Sequence, residues 1–311
     1  MNRRRFLSLS GAGMLAIARR GRADDPAKPT VVETVEERLK AARIGPIKVE
    51  SSAHFQAMGD APKAFLRLVL ADCEDVAADF IPHLSSKGFA IALPPGRMTV
   101  VALSDDAAYG RFFGERASLA SGGRYDFKND RLIVYDYRPA RGRMGARPGA
   151  LNLLTLTHEV THQLCYGVGL FDRAGDAPRF VVEGLATYAE PRLAGPNPTL
   201  GRRNDTRLDD LAHLQRGTRW TPLKSLITSD DAILGRLGAG PLLLAYAQSW
   251  LFAYFMMTQA DRVPAYRDYL RSIRPRRDPS HRLDDATAHL GDLDRLDADL
   301  KRESIRLLKS R

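Results

Sequence analysis

The chain has 311 residues, 44% hydrophobic and 27% charged, ordinary for a soluble globular protein and enough to bury a sizeable core. Its formal net charge of +10 falls to +4 once the six arginines of the first 22 residues (Arg3, Arg4, Arg5, Arg19, Arg20 and Arg22) are set aside, so the remainder lacks the basic stripe that nucleic-acid binding needs. Two cysteines, Cys73 and Cys165, are too few for a disulfide framework, and Cys165 reads as a buried small hydrophobe.

The amino terminus reads as a signal peptide over residues 1–23. A basic start precedes a weakly apolar stretch, 6–18, too short to span a membrane comfortably. Arg3-Arg4-x-Phe6-Leu7 resembles the twin-arginine export signal, which predicts a periplasmic or extracellular protein. No later apolar run reaches transmembrane length, so no stable membrane insertion is expected after signal removal.

Residues 24–46 form a linker with a short amphipathic helix over 30–43, its apolar side made by Val31, Val35, Leu39 and Ala42. Residues 47–59 read as one strand, since Ile47, Val49, Ala53, Phe55 and Ala57 share a parity. A long helix over 63–87 stops at Gly88. Residues 97–103 read as a buried strand, and Ser104 as the cap of a helix carrying Tyr109, Phe112 and Phe113. Residues 121–137 read as a hairpin turning at Asn129-Asp130, with 132–137 as its second strand. A Gly/Pro/Arg loop, 139–149, follows; its arginines and the "RPRR" of 274–277 read as solvated. From Ala150 the pattern is almost all helical, broken at 167–178, 191–204 and 235–241. Strands mixed with helices, then helices, is an α+β plan: an N-terminal α/β lobe over 47–150, a helical lobe over 151–273 and a charged helical tail over 274–311. That tail either packs on the domain or projects from it.

"LTLTHEVTHQLCYG", residues 154–167, carries the chemistry. On a helix His158 and His162 share a face and can present two imidazoles to one ion. Glu159 sits beside the metal but off the ligand axis, as the general base of a His-Glu-x-x-His site. In "PRFVVEGLATYAEP", residues 178–191, Glu183 lies in an apolar run where a lone carboxylate is costly unless paired or metal-bound. Gly167, Gly169, Gly175 and Pro178 let the chain turn and lay this second helix along the first. His158, His162 and Glu183 then leave a fourth position for water, the catalytic pattern for zinc. Glu190, seven residues beyond Glu183, is a candidate partner for a ligand histidine's second nitrogen, with Thr187 a weaker one. The polar stretch 201–207 reads as a loop that could line the cleft.

His-Glu-x-x-His followed by Glu-Gly-x-Ala-x-Tyr resembles the gluzincins, the thermolysin-like and aminopeptidase-like zinc peptidases. Finer features, "TLTHEVTHQL", "EGLATYAEP" and "YAQSWLFAYF", resemble a family of secreted bacterial peptidase-MA-like proteins known as domain of unknown function 1570. The resemblance covers roughly 47–273 and is densest over 151–191. It implies a zincin-like fold with the metal site between the two lobes, a zinc cofactor, a peptide or protein substrate, and hydrolysis by zinc-activated water with Glu159 as base. It further implies a tyrosine on a later helix as oxyanion donor, with Tyr246 first and Tyr188 and Tyr254 as rivals. Finally it implies an edge strand above the metal that pairs with substrate, for which 132–137 stands at the right place in the order. Two other functions fit the same residues: a metal-dependent amidase acting on cell-wall peptides, and a non-catalytic zincin-like scaffold that binds peptide.

Overall fold

A computed structural model of the chain describes residues 33–114, 122–136, 148–193, 200–214 and 217–310. The signal segment and most of the loop over 139–149 lie outside the described residues, although Pro148 and Gly149 already belong to a helix. Five strands form one sheet: β1 Lys48–Ser51, β2 Phe55–Gly59, β3 Met98–Leu103, β4 Gly123–Asp126 and β5 Arg131–Tyr135. Their spatial order is β1-β2-β3-β5-β4, with β2, β3 and β5 parallel and the two outer strands antiparallel to their neighbours. A parallel pair requires a crossover. Between β2 and β3 it is helix α2, Lys63–Ser86, which buries Phe65, Leu66, Val69, Leu70, Cys73, Val76, Ala77, Phe80 and Leu84 along one face. Strand β3 shows why its apolar run does not alternate. Val100 and Ala102 enter the main core, whereas Val101 and Leu103 enter a second cluster with Leu39, Tyr109, Phe112 and Tyr135.

Several local expectations change. Helix α1 is shorter than expected, Val35–Ala41, because Thr34 and Glu37 close a capping box at its start. Residues 47–59 are not one strand but a hairpin, with Lys48 opposite Gly59. The reversal joins two strands whose shared parity is accidental: Val49 stands opposite Met58 and is exposed, whereas Ala57 stands opposite Glu50 and is buried. The reversal is fixed by Glu74, which accepts from the His54 N–H at 2.7 Å and pairs with Nδ1 at 2.8 Å. Helix α3, Asp106–Phe113, is capped by Asp105 rather than Ser104. Ser104 instead donates its N–H and hydroxyl to Asp60. In the second hairpin, β5 has β3 on one side and β4 on the other, so β4 and not 132–137 is the edge strand.

The remaining helices are α4 Pro148–Gly167, α5 Arg179–Ala189, α6 Asp205–Leu214, α7 Leu223–Thr228, α8 Ala239–Thr258, α9 Val263–Ile273, α10 Arg282–Leu290 and α11 Leu293–Lys309. A sheet in the N-terminal part and helices after it are the α+β plan. Helix α8 is apolar on all sides, the mark of a central helix, and α5 packs closely on it. Gly184 makes that approach possible: a Cβ there would stand 2.9 Å from the Ser249 carbonyl oxygen. The tail packs on the domain. Leu293, Leu296, Leu300 and Leu307 are buried, and Asp297 accepts from the Trp220 indole at 2.9 Å. Of the "RPRR" arginines, Arg274 and Arg277 are exposed, Arg277 pairing with Asp172 at the surface, whereas Arg276 grips the buried Asp285. Both cysteines are free and buried, and among the described residues no helix is long and apolar enough to cross a membrane.

His83 of α2 and the Tyr188 hydroxyl of α5 lie 2.9 Å apart and tie the sheet's crossover helix to the helical region. Burial first, then Lys87, holds His83 down to about 4 against an opposing Asp79. An unfolded chain takes up this proton near pH 6.5 and the folded protein refuses it, so stability is full above that pH and declines as pH falls toward 4. Urea melts should show His83→Gln losing less stability than wild type across that window. In the same assay Gly184→Ala should destabilise by about 1–3 kcal/mol through overpacking against α8, despite alanine's better helix propensity.

Candidate metal centre

Helix α4 buries Leu156, Val160 and Leu164 at i, i+4 and i+8, which fixes its rotation. Its other faces are also covered, so Thr157, His158, Glu159, Thr161, His162 and Gln163 are buried too. Each polar group therefore needs a partner. Thr161 bonds back to the Thr157 carbonyl at 2.7 Å, and Gln163 donates to the Thr99 carbonyl of β3 at 3.0 Å, docking the helix on the sheet. The link from Gly167 to α5 turns with Gly169 in the left-handed region (φ 75°) and is anchored by Arg282, which grips Asp176 at its far end.

The turn brings Glu183 against both histidines. Its Oε2 lies 3.1 Å from His158 Nε2 and 3.5 Å from His162 Nε2, and the two Nε2 atoms are 3.2 Å apart. Zinc bonds of about 2.0–2.1 Å in a tetrahedron place neighbouring ligand atoms about 3.3–3.4 Å apart, so this triangle has the right edges. The donor set has the right chemistry as well. His158 Nδ1 lies 3.0 Å from Glu190 Oε1, and a proton held there leaves the Nε2 lone pair aimed at the other two ligand atoms. Lone pairs facing one another in a buried place call for a cation. His158, His162 and Glu183 form a buried group that can hold a metal ion.

Electrostatics says the same without a metal. Burial alone would lower His158, but hydrogen bonds to Glu183 and then Glu190 raise it to about 10. Burial would raise Glu183, and the two histidines hold it well below the usual carboxylate range. Glu190, beginning the 3-10 turn Glu190–Leu193, is likewise pushed up by burial and brought down to about 2 by Arg207 first and then His158.

Glu190 is held from the far side by residues of the 201–207 stretch. Arg207 binds it through Nε at 3.0 Å and Nη2 at 2.6 Å, and Asn204 Nδ2 donates at 2.8 Å. The stretch opens α6 rather than forming a plain loop. The Thr187 hydroxyl bonds the Glu183 and Gly184 carbonyls instead of a histidine, and the Thr187 carbonyl accepts from Asn204 Nδ2 at 3.3 Å.

Glu159 stands outside the ligand trio, though its charge reaches His158. Its Oε2 accepts the Tyr125 backbone N–H of β4 at 2.7 Å. That N–H is turned away from β5, so the outer edge of β4 faces the site. The Tyr125 ring stacks between His162 (6.4 Å) and Tyr166 (5.8 Å), and its hydroxyl donates to Asp130 at 2.7 Å. Of the three tyrosines, Tyr246 lies in the field of Glu183 and Glu159, while Arg207 stands 5.8 Å over its ring. Burial and those two carboxylates hold its hydroxyl well above the ordinary range, so it stays a protonated donor. The Tyr188 hydroxyl is committed to His83, and Tyr254 packs on Trp250 at 5.3 Å. Cys165 is buried in the core, its thiol pushed up by burial, and stands outside the ligand set.

Sequence reasoning missed the roles of Arg207, Asn204 and the Tyr125 N–H. A backbone donor carries no side-chain signature, and Arg207 lies 45 positions from His162. Only the polarity of 201–207 hinted at the first two.

Residues 152–279 match a family described as Protein of unknown function (DUF1570). The chain resembles that family over this stretch. The match opens inside α4, contains all three candidate ligands and ends at Pro279, so the sheet lies outside it. No curated protein matches the chain.

Metal analysis of the purified protein should find one bound ion, abolished in His158→Ala. Glu190→Gln should weaken metal affinity by roughly 10- to 100-fold. It should also destabilise the metal-free protein, by up to about 3–5 kcal/mol, because buried Arg207 loses the Glu190 charge and keeps Asp210 at 3.4 Å.

Proposed function

We propose that this protein is an exported zinc metallopeptidase of gluzincin type, with a zincin-like fold. The observation that carries the reading is the ligand-spaced triangle of His158, His162 and Glu183 with the Glu159 carboxylate beside it. Zinc bound there would lower the pKa of a water molecule and polarise a carbonyl.

The chain's own groups supply the rest. Glu159 takes a proton from the attacking water and passes it to the leaving amine. The Tyr125 N–H fixes the Glu159 carboxylate, so its orientation needs no substrate to set it. Tyr246 donates its hydroxyl proton in a hydrogen bond to the oxygen that gains charge at the scissile carbonyl. Glu190, locked by Arg207 and Asn204, keeps His158 in the tautomer whose Nε2 faces the site. An extended peptide would lie along the outer edge of β4, as the resemblance to gluzincins implies. Export through the twin-arginine route rests on Arg3 and Arg4 in the segment before the described residues.

Zinc-loaded mature protein should cleave members of a peptide library. Glu159→Gln should retain the metal and lose roughly a hundred- to ten-thousand-fold in rate. Tyr246→Phe should lose roughly a hundred- to a thousand-fold, with KM little changed. Stoichiometric zinc without Glu159-dependent hydrolysis of any peptide would sink the enzyme reading in favour of a peptide-binding scaffold. Hydrolysis confined to cell-wall peptides would make the protein an amidase of that substrate.

A further inference from the structure

Several arginines drawn into this fold are paired with carboxylates, and half-buried Arg38 donates instead to the Phe112 carbonyl oxygen at 2.7 Å. Arg207 is bound to Glu190, Arg282 to Asp176 and Asp230, and Arg262 to Asp299. Arg179 is different. It is half-buried in the first turn of α5, and among the described residues no carboxylate comes within ion-pair distance of its guanidinium. Its guanidinium carbon rests 5.2 Å from the Phe127 ring centroid. Asp230 accepts only its backbone N–H, at 3.0 Å, and commits the same carboxylate to Arg282. A cation at a helix N-terminus also opposes the helix dipole. Phe127 offsets part of that cost, and among the described residues no carboxylate offsets the rest, which points to a partner that arrives from outside.

The position says what that partner meets. Arg179 and Glu183 are four apart on α5 and share a face. A line of rings leads from one to the other: His162, Tyr125, Tyr166 and Phe127, in successive contacts of 6.4, 5.8 and 4.8 Å. The Arg179 charge reaches the hydroxyls of both Tyr246 and Tyr166. About 6 Å of helix rise separates Arg179 from Glu183, and an extended peptide covers that distance in roughly two residues.

We propose that Arg179 is a specificity-determining residue that binds a substrate carboxylate, against Phe127, within a residue or two of the bond broken at the metal centre. The carboxylate is either the free C-terminus of a peptide or an acidic side chain. This rests on the peptidase reading for its substrate class, but binding can be tested without turnover.

Three probes separate the sources: an N-acetylated tri-alanine with a free C-terminus, its C-terminal amide, and an amidated N-acetyl tripeptide with a central glutamate. Calorimetry on zinc-loaded Glu159→Gln should show one carboxylate-bearing probe binding about tenfold to a hundredfold tighter than the neutral amide. Adding Arg179→Met should erase that preference, and Arg179→Lys should restore part of it, with metal content and melting unchanged in both. In the Glu159-intact protein the loss should fall mainly on KM. Equal binding of all three probes, or a preference that survives Arg179→Met, overturns the proposal. If the wild type cleaves no peptide but the preference tracks Arg179, the peptidase reading fails and the carboxylate site stands. If cleavage proceeds with no dependence on Arg179, the carboxylate site fails and the peptidase reading stands.

Discussion

Two imidazole nitrogens and a carboxylate oxygen stand within 3.5 Å of one another, in a place nearly closed to water. Such an arrangement repels itself unless positive charge sits among the lone pairs. The raised affinity of His158 for a proton is the form this demand takes in the metal-free chain. A metal ion meets it more fully, since one ion satisfies three atoms at once. Much of the surrounding structure can be read as the means of holding these three atoms together against their mutual repulsion.

The holding is done by layers of buried charge. His158 leans on Glu190, Glu190 on Arg207, and Arg207 reaches Asp210 at 3.4 Å. The chain of contacts alternates in sign, which lets His158, Glu190 and Arg207 stay buried, with half-buried Asp210 at its end. It also binds α4, the turn after α5, and α6 into one unit, so the metal centre and the helical packing are not separable. Gly184 serves the same end by steric means: without a side chain it lets α5 settle on α8 and carry Glu183 to the histidines. On the other side, the β4 backbone supplies the one hydrogen bond that fixes Glu159. Sheet and helices thus each contribute a part of the site that the other cannot.

The pattern of the chain made the candidate metal ligands legible. Four-residue spacing on a helix puts His158 and His162 on one face whatever the fold, and Glu183 stood out as a charge in an apolar run. The long helix α2, the buried strand β3 and the helical second half were legible for the same reason, since periodicity of apolar residues reports burial directly. Local chemistry that hinges on a single residue was less so. Ser104 and Asp105 are both good caps, and only the nearby Asp60 claims Ser104. The reversal at residues 52–54 puts Val49 and Ala57 on opposite faces although they share a parity, so the alternation read over 47–59 joined two separate strands.

The sequence by itself determined the candidate ligand trio, the carboxylate next to it in the chain and the α+β order, because these depend on spacing along the chain and on the cost of burying charge. The tertiary structure decided which strand forms the edge, which of the three candidate tyrosines stands in the field of Glu183, that Glu190 is anchored by Arg207, that the charged tail packs on the domain, and that Arg179 has no carboxylate in ion-pair reach among the described residues. Each of these is a relation between residues far apart in sequence. Their distances are set by how the helices and the sheet pack, and no spacing along one chain encodes them.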